Sequence, residues 1–524
     1  MRTSRRSPRR RSAAANVALT IGLGALVAVT PAAAAVPAPD QDSIEPAPQP
    51  NIIFILTDDQ SLGSFTPASM PRTHRLLADR GTVFRKALVP TPLCCPSRAA
   101  FSTGQYGHNN GVLRNSYAAL NENDNLLPVW LQRAGYRTAH VGRFYNGYER
   151  TGRELEVAPG WDIWRSALNP RGYYDYALTT NKGTQSFGTE SEEYLTTNLN
   201  RVAAAIVRRQ TARRAPLFLQ LDHLAPHVGR GDPGGRCDEA AVPAFADSTA
   251  YLDEPLPKSP SYNEADLSDK PSFMQELPLI EAEAEAEITR QYGCAMASLL
   301  EVDRGVAAIH KALAAADALE DTVVIFSSDN GFEFGEHRLA PVKLYPYEES
   351  IRVPLVIRLP KGVEQEPATG LPVANIDLAP TLLELAGARS CNREGCVRMD
   401  GRSLLPTMLG EPDISPDRAI ALELDAPISP EGLVCRYSGL WSRQFTYVEH
   451  SSARPSEEVP CEPVTDTELY DHAADPFQLE NLTPPGVAAA DVVPPELLTR
   501  QDRLAICSGI KGRDRRLEGT PYCE

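Results

Sequence analysis

The sequence predicts an α/β fold: a large, mainly parallel sheet sandwiched by helices, with a smaller C-terminal antiparallel sheet plus helix. Two observations carry that expectation. Continuous apolar, β-branched runs at residues 51–56, 216–221 and 322–326 alternate with segments of helical period. Strands buried on both faces read as unbroken apolar runs, and strands alternating with helices build a parallel sheet covered on both sides. After about Cys396 the texture changes to short strands divided by turns, the pattern of an antiparallel sheet.

The N-terminus stands apart from this fold. Arg5, Arg6, Arg9, Arg10 and Arg11 precede an apolar run over residues 13–29, and residues 31–35 offer small-residue cleavage sites. That layout is a secretory signal over residues 1–35. The apolar core is short and Ala-rich for a membrane anchor, so no stable membrane insertion is expected after cleavage. The triple arginine admits a twin-arginine route, but the residues after it match that pattern poorly, and Sec export is expected. Residues 36–49 read as a Pro-rich linker, 50–395 as the catalytic domain and 396–524 as a C-terminal α+β subdomain.

Along the chain, the strand at 51–56 ends in Thr57-Asp58-Asp59-Gln60. Helices are expected around 73–80 and 125–134. A strand at 136–141 runs into Gly142-Arg143-Phe144-Tyr145-Asn146-Gly147, and a helix spans 193–209. The strand at 216–221 ends in Asp222-His223-Leu224-Ala225-Pro226-His227. Residues 229–269, rich in Pro, Gly and Asp, form a long loop and a candidate substrate lid. A long helix runs from Glu281 to about Ala315, its Glu/Ala alternation being a solvated first stretch. The strand at 322–326 closes on Ser327-Ser328-Asp329-Asn330-Gly331, a strand follows at 353–359, and a helix at 376–385 has Asp377 as its cap. Short strands at 419–424, 441–449 and 468–471 and a helix at 495–506 complete the chain.

The net charge of −16 excludes nucleic acid and anionic membrane surfaces as natural partners. An anionic substrate would need a local positive pocket. Ten cysteines fit an exported protein. Cys391/Cys396, Cys435/Cys461 and Cys507/Cys523 pair by proximity alone. If Cys94 is kept for chemistry, nine remain, so one more must be free.

The chemistry-bearing residues cluster at strand ends. Paired carboxylates Asp58 and Asp59 end a central strand, where open α/β sheets place ligands, and their mutual repulsion asks for a cation. Asp329 and Asn330 end another strand in the same way. All four are oxygen donors without a Cys/His zinc spacing, so calcium or magnesium is expected. Cys94-Cys95-Pro96-Ser97-Arg98 sits at a Pro-punctuated turn entering a helix, the setting of a reactive cysteine. The plainer reading is a disulfide half or a buried pair.

The line from Cys94 through Pro96-Ser97-Arg98 to Ser102-Thr103-Gly104 resembles the signature of the type I sulfatases, in the alkaline-phosphatase-like superfamily. The resemblance implies that Cys94 is oxidised to formylglycine (3-oxoalanine) by a formylglycine-generating enzyme, with Cys95 the variable position. The hydrated aldehyde would be the nucleophile and, with Asp58, Asp59, Asp329 and Asn330, a metal ligand, and the resemblance puts calcium first. By the same resemblance Arg98 holds the hydrate. Lys343 and His227 contact the sulfate and leaving oxygen, with His227 protonating the latter. Arg143 stands where the family often has a lysine, and Tyr145 stands at the position of a histidine that takes up a proton as sulfate leaves. A tyrosine with an ordinary pKa near ~10 is a poor base. Tyr145, Asn146, His108 and His337 are candidate substrate contacts. His74, His140, His310, His450 and His472 read as surface or packing residues and His223 as structural.

The resemblance covers residues 50–482. Within the family it leans to the N-acetylglucosamine-6-sulfatase-like group, through Cys94–Arg98, the missing motif histidine, Gly160-Trp161-Asp162, Ser261-Tyr262-Asn263-Glu264-Ala265-Asp266 and Ser268-Asp269-Lys270-Pro271. The expected function is a secreted sulfatase acting on a sulfated carbohydrate or other sulfate ester. The alternatives are a phosphonate or phosphate-ester hydrolase, a general arylsulfatase, or a sulfated-glycan-binding protein with Cys94 unconverted.

Overall fold

The computed structural model describes residues 49–524 except 149–150, 154, 169–171, 212, 214, 252, 413–416, 426–434 and 452–463. The signal and most of the linker therefore lie outside the described residues.

Ten strands form the main sheet: β1 (Asn51–Asp58), β2 (Thr82–Leu88), β3 (Arg137–Gly142), β4 (Ile163–Ala167), β5 (Tyr176–Thr180), β6 (Gly183–Phe187), β7 (Leu217–Pro226), β8 (Thr322–Ser328), β9 (Leu355–Arg358) and β10 (Ala368–Ala374). Their order is β10-β2-β9-β8-β1-β7-β3-β4-β5-β6. The run β8-β1-β7-β3-β4 is parallel throughout, while β9 and the β4-β5-β6 flank pair antiparallel. The apolar runs predicted as strands are β1, β7 and β8, at its centre. Their alternate side chains serve two cores. Ile52, Phe54 and Leu56 join one and Ile53 and Ile55 the other, because successive residues point to opposite faces.

Helices Cys94–Thr103, Leu127–Arg133 and Leu378–Ala386 cover the first face. Leu195–Gln210 and the 34-residue helix Ala282–Ala315 cover the second. Of the strands absent from the prediction, two fail on composition. β6 is Gly-Thr-Gln-Ser-Phe, almost wholly exposed, and β2 carries Arg85 and Lys86 on its outer stretch.

Strands β11 (Ile420–Asp425), β12 (Arg436–Trp441), β13 (Phe445–Ser451) and β14 (Val464–Asp471) form an antiparallel sheet. The single strand expected at 441–449 is instead a hairpin that turns at Ser442, whose N–H donates to Phe445 O. This sheet shares a core with Leu88, Tyr106 and Ile376, and residues Gln49–Glu524 form one compact unit. The texture change at 396 thus marks a change of sheet inside that unit. The expected cap is corrected: Asp377 makes no side-chain bond to the first turn of helix Leu378–Ala386, and as the last residue of the preceding turn Asn375–Asp377 it accepts from Ala374 N at 2.8 Å. It also takes the fork of buried Arg418 from the edge of the small sheet.

Cys391–Cys396 and Cys507–Cys523 are disulfides. Cys435 is disulfide-bonded, and its expected partner Cys461 lies outside the described residues. Cys237–Cys294 is a further bridge, 57 residues apart and invisible to a proximity argument. It ties the 229–269 segment to the long helix, as does the Asp247–Arg304 ion pair, so this cover is anchored at several points. Among the described residues Cys94 and Cys95 are free, matching the odd count.

Candidate active site

The predicted carboxylates meet because β1 and β8 are parallel neighbours in register, Thr57 opposite Ser328. Asp58 and Asp329, far apart in sequence, therefore leave the sheet side by side. Asp59 turns there with φ of 64°, a left-handed conformation that Asp tolerates better than most residues. Its N–H donates to Asp329 Oδ1 at 3.2 Å. Cys94 is the first residue of helix Cys94–Thr103, and Arg98 lies one turn on, on the same face. β3 delivers Arg143 just past Gly142, β7 delivers His227, and Lys343 comes from the loop beyond β8.

The side chains converge tightly. Arg98 donates to Asp329 Oδ2 from Nε at 3.0 Å and from Nη2 at 2.9 Å, and from Nη2 to Asp58 Oδ2 at 2.9 Å. Arg143 Nη1 donates to Asp58 Oδ2 at 2.6 Å, and its Nη2 lies 3.8 Å from Cys94 Sγ. Lys343 bonds Asp59 Oδ1 and places Nζ 2.9 Å from Cys94 Sγ. His227 Nε2 is 3.6 Å from Asp59 Oδ2, and its Nδ1 is 2.6 Å from Val228 O. Every one of these residues is at most 7% exposed.

The electrostatics are crowded. Burial and then Asp58 push the Asp329 carboxyl up to about 7, against the pull of Arg98. Asp59 and Asp58 hold Lys343 above its ordinary value despite burial, so it is a cation. Burial, and then Arg143, lowers His227 well below the usual imidazole value, so its ring is neutral. Burial, then Asp58, raises the Cys94 thiol to about 12. Unmodified, the residue therefore rests as a protonated thiol, a weaker nucleophile than a thiolate.

The residues fit a hard divalent cation. Asp58, Asp59 and Asp329 each offer a carboxylate oxygen, all within 4.8 Å of one another. Asn330 donates through Nδ2 to Asp59 Oδ1 at 2.7 Å and to Gly331 O at 2.8 Å. That fixes its Oδ1, which is buried and has no hydrogen-bond partner. An orphaned amide oxygen beside three carboxylates is a donor set for calcium or magnesium.

Four candidate substrate contacts land differently. Asn146 stays at the centre, accepting from Arg143 Nη2 at 3.5 Å. Tyr145 does not reach Cys94. Its hydroxyl bonds Ser102 and donates to Arg98 O at 3.0 Å, with the ring packed on Tyr117 and Phe144 and its pKa raised by burial. It braces the helix that carries Arg98 and is no base. His337 is wholly buried against Glu264 Oε2 at 2.6 Å and stacks on Tyr347, so it holds the fold. His108 pairs with Glu423 Oε2 at 2.8 Å and lies 3.0 Å from Cys507 O, tying the short helix Gly107–Asn110 to the small sheet and the C-terminal loop.

The sequence reading also passed over Asp222 and His140. His140 Nε2 lies 2.9 Å from Asp222 Oδ2, which is 3.7 Å from Arg98 Nη1. The available signal was a run of polar residues, Gln220, Asp222 and His223, inside a wholly buried strand.

Comparison with known proteins points the same way. A family model described as Sulfatase matches residues 50–388. An extracellular sulfatase Sulf-1 homologue of Caenorhabditis elegans is 32% identical over 68% of this chain and 49% of its own length, so the chain spans about half of that relative. The N-acetylglucosamine-6-sulfatase of Homo sapiens is 27% identical over 88% of this chain and 85% of its own. In fold, a protein solved with its substrate D-glucosamine-2-N,6-O-disulfate superposes with a TM-score of 0.65 at 21% identity, covering 87% of this chain and 97% of the other.

Proposed function

The chain belongs to the sulfatase family, and on that footing we propose that it is an exported enzyme hydrolysing a sulfate ester on a sugar. The observation that carries this is the convergence of Arg98, Arg143 and Lys343 on Cys94 and three carboxylates, inside a protein of net charge −16. The three cations and three carboxylates balance, so a divalent cation held by the carboxylates would leave a local positive pocket suited to a tetrahedral oxyanion.

The working form carries formylglycine at residue 94, made from Cys94 by a formylglycine-generating enzyme. A hydrated aldehyde there presents two hydroxyls: one to attack sulfur and one to expel sulfate afterwards, which a serine lacks. A divalent cation at Asp58, Asp59, Asp329 and Asn330, calcium before magnesium, would supply Lewis-acid activation when bound. Arg98, Arg143 and Lys343 balance the charge on the sulfuryl oxygens. His227 keeps a proton on Nδ1 against Val228 O, leaving Nε2 to exchange a proton with the reacting oxygens. A ring nitrogen of His227, an Asp58 carboxylate oxygen and Cys94 Sγ lie within 4.8 Å of one another. With Tyr145 turned away, His227 is also the base within reach for sulfate release.

The sugar is argued by resemblance. The human relative that spans most of both chains is named N-acetylglucosamine-6-sulfatase, which supports a 6-O-sulfated N-acetylglucosamine. The worm relative is named as extracellular, which supports export, as does the signal-like start of the sequence. No helix among the described residues is long and apolar enough to cross a membrane.

The test is a panel of sulfated mono- and oligosaccharides beside an aryl sulfate and phosphate and phosphonate esters, ranked by kcat/KM. Tandem mass spectrometry of the peptide holding residues 94–98 accompanies it. We expect a sulfated N-acetylglucosamine to rank first and the aldehyde to sit at residue 94. Turnover of aryl sulfates alone would overturn the sugar, preferred turnover of phosphonates would overturn the sulfatase reading, and a thiol at Cys94 in active enzyme would overturn the mechanism.

A further inference from the structure

Arg98 presents a problem that its contacts with Asp58 and Asp329 do not solve. Both carboxylates belong to the cation's donor set, so a bound calcium and the guanidinium compete for the same oxygens. An arginine held only by those two would shift whenever the cation arrived or left. The opposite edge of the guanidinium needs an anchor outside the donor set.

The structure has one. Arg98 Nη1 donates to Arg143 O at 3.0 Å and lies 3.7 Å from Asp222 Oδ2. Asp222 is wholly buried on β7. Its Oδ2 accepts from Gln220 Nε2 at 2.8 Å and pairs with His140 Nε2 at 2.9 Å, while Oδ1 has no hydrogen-bond partner. The β3–β7 register, His140 opposite Gln220 and Gly142 opposite Asp222, puts these three side chains on one face of the sheet. Gly142 makes the approach possible: a Cβ there would meet Asp222 O at 1.8 Å, and Arg143 N donates to that oxygen at 2.9 Å. His140 is boxed in by the rings of Phe144, Trp161 and Trp164, so it has no room to swing away. A buried carboxylate is strongly unfavourable unless paired, and the permanent cation within its reach is Arg98.

We infer that Asp222, clamped by His140 and Gln220, is a positioning residue for Arg98, holding its guanidinium in place while calcium takes up Asp58 and Asp329. The inference rests on the sulfatase reading of the site. Without Asp222 the guanidinium settles onto the two donor carboxylates. Calcium then binds more weakly, and the charge that balances the sulfuryl oxygens is misplaced.

The experiment uses the full-length enzyme, stripped with chelator and titrated with calcium alone by calorimetry, together with steady-state kinetics and thermal melts. For Asp222→Asn we expect an unchanged melting temperature, calcium binding weaker by about tenfold, and kcat lower by about 10²-fold, the scale of a misplacement near 1 Å. KM should change less than about threefold. In an Arg98→Lys background, Asp222→Asn should weaken calcium binding no further. Equal weakening in both backgrounds, or wild-type calcium affinity in Asp222→Asn, overturns the inference. Should Asp222→Asn fail to fold, His140→Phe and His140→Gln decide. Loss in Phe with recovery in Gln, which can still donate to Asp222, supports the inference, and equal loss in both overturns it. If the wild-type protein turns over no sulfate ester, the functional reading fails while the calcium titrations still judge Asp222.

Discussion

Two buried charged networks in this molecule are built on opposite terms. At the active centre, Asp58, Asp59 and Asp329 crowd together, and burial with Asp58 lifts Asp329 to about 7. In the network behind the small sheet, Glu468 is just as buried, yet its carboxyl is held below the usual range. Burial pushes it up, but His450 and the hydroxyls of Tyr470 and Tyr347 outweigh that. Glu468 accepts from His450 at 2.6 Å and from both tyrosines. At the opposite edge of the small sheet, just before β11, Arg418 answers Asp377 with its fork in the same balanced way. One network leaves like charges facing one another and an amide oxygen orphaned. The other satisfies each carboxylate. Burial alone does not separate the two; carboxylates crowded close enough to repel one another despite their paired cations do.

The strongest way to break this contrast is to neutralise one group in each network. Asp329→Asn removes a repulsion and a metal donor together. Sulfate-ester turnover should fall by more than about 10³-fold, while the melting temperature holds or rises, because strained active centres trade stability for function. Calcium binding by calorimetry should weaken in parallel. A melting temperature lowered by more than about 2 °C, the shift of roughly 2 kcal/mol in a chain this long, would place the two networks in the same class.

How much of that contrast the sequence could carry depends on how each part is encoded. The centre was legible because its residues end apolar strands: Asp58-Asp59 after β1 and Asp329-Asn330 after β8 are polar pairs where a buried run stops. The Cys94–Arg98 segment was legible as a motif. The flanking strands were not, since β6 is too polar to read as one and the turn inside residues 441–449 carries no Gly or Pro. Nor was the role of Tyr145, His108 or His337. A histidine or tyrosine in a motif stretch has the same letters whether it faces substrate, a carboxylate or an aromatic cluster. Asp222 and His140 were missed because their partnership depends on the β3–β7 register, which only the fold supplies.

The same substitution logic at the balanced network should have the reverse outcome. Arg418 is wholly buried and answers Asp377, which also accepts from Arg402 N at 2.9 Å. Arg418→Leu strands Asp377 without its counter-charge, and breaking a buried pair by removing one partner costs about 3–5 kcal/mol. Denaturant unfolding should show that loss, with calcium affinity unchanged in the fraction that remains folded. Retained stability would mean that the junction leans on its shared apolar core and not on the ion pair.

The smallest effect is expected where the balanced network is pH-sensitive. His108, on the short helix Gly107–Asn110, has Glu423 Oε2, Cys507 O and Asn109 around it and Tyr106 stacked beside it at 5.7 Å. Burial disfavours its charged form. The charge and hydrogen bond of Glu423, then the carbonyl of Cys507 and the charge of Asp400, prevail and raise it from 6.5 to about 9. The folded protein therefore binds this proton more tightly than the unfolded chain. The stabilisation is complete below about pH 6.5 and is lost as pH rises through 9. With the ring partly exposed, the effect should be on the order of 1–2 kcal/mol. Melting temperatures of the wild type should fall between pH 6.5 and 9.5. In His108→Gln, which keeps a donor for Glu423 but no titration, that part of the slope should vanish. A slope unchanged by the substitution would assign the pH dependence to other groups and leave His108 as a neutral tie between its helix and the small sheet.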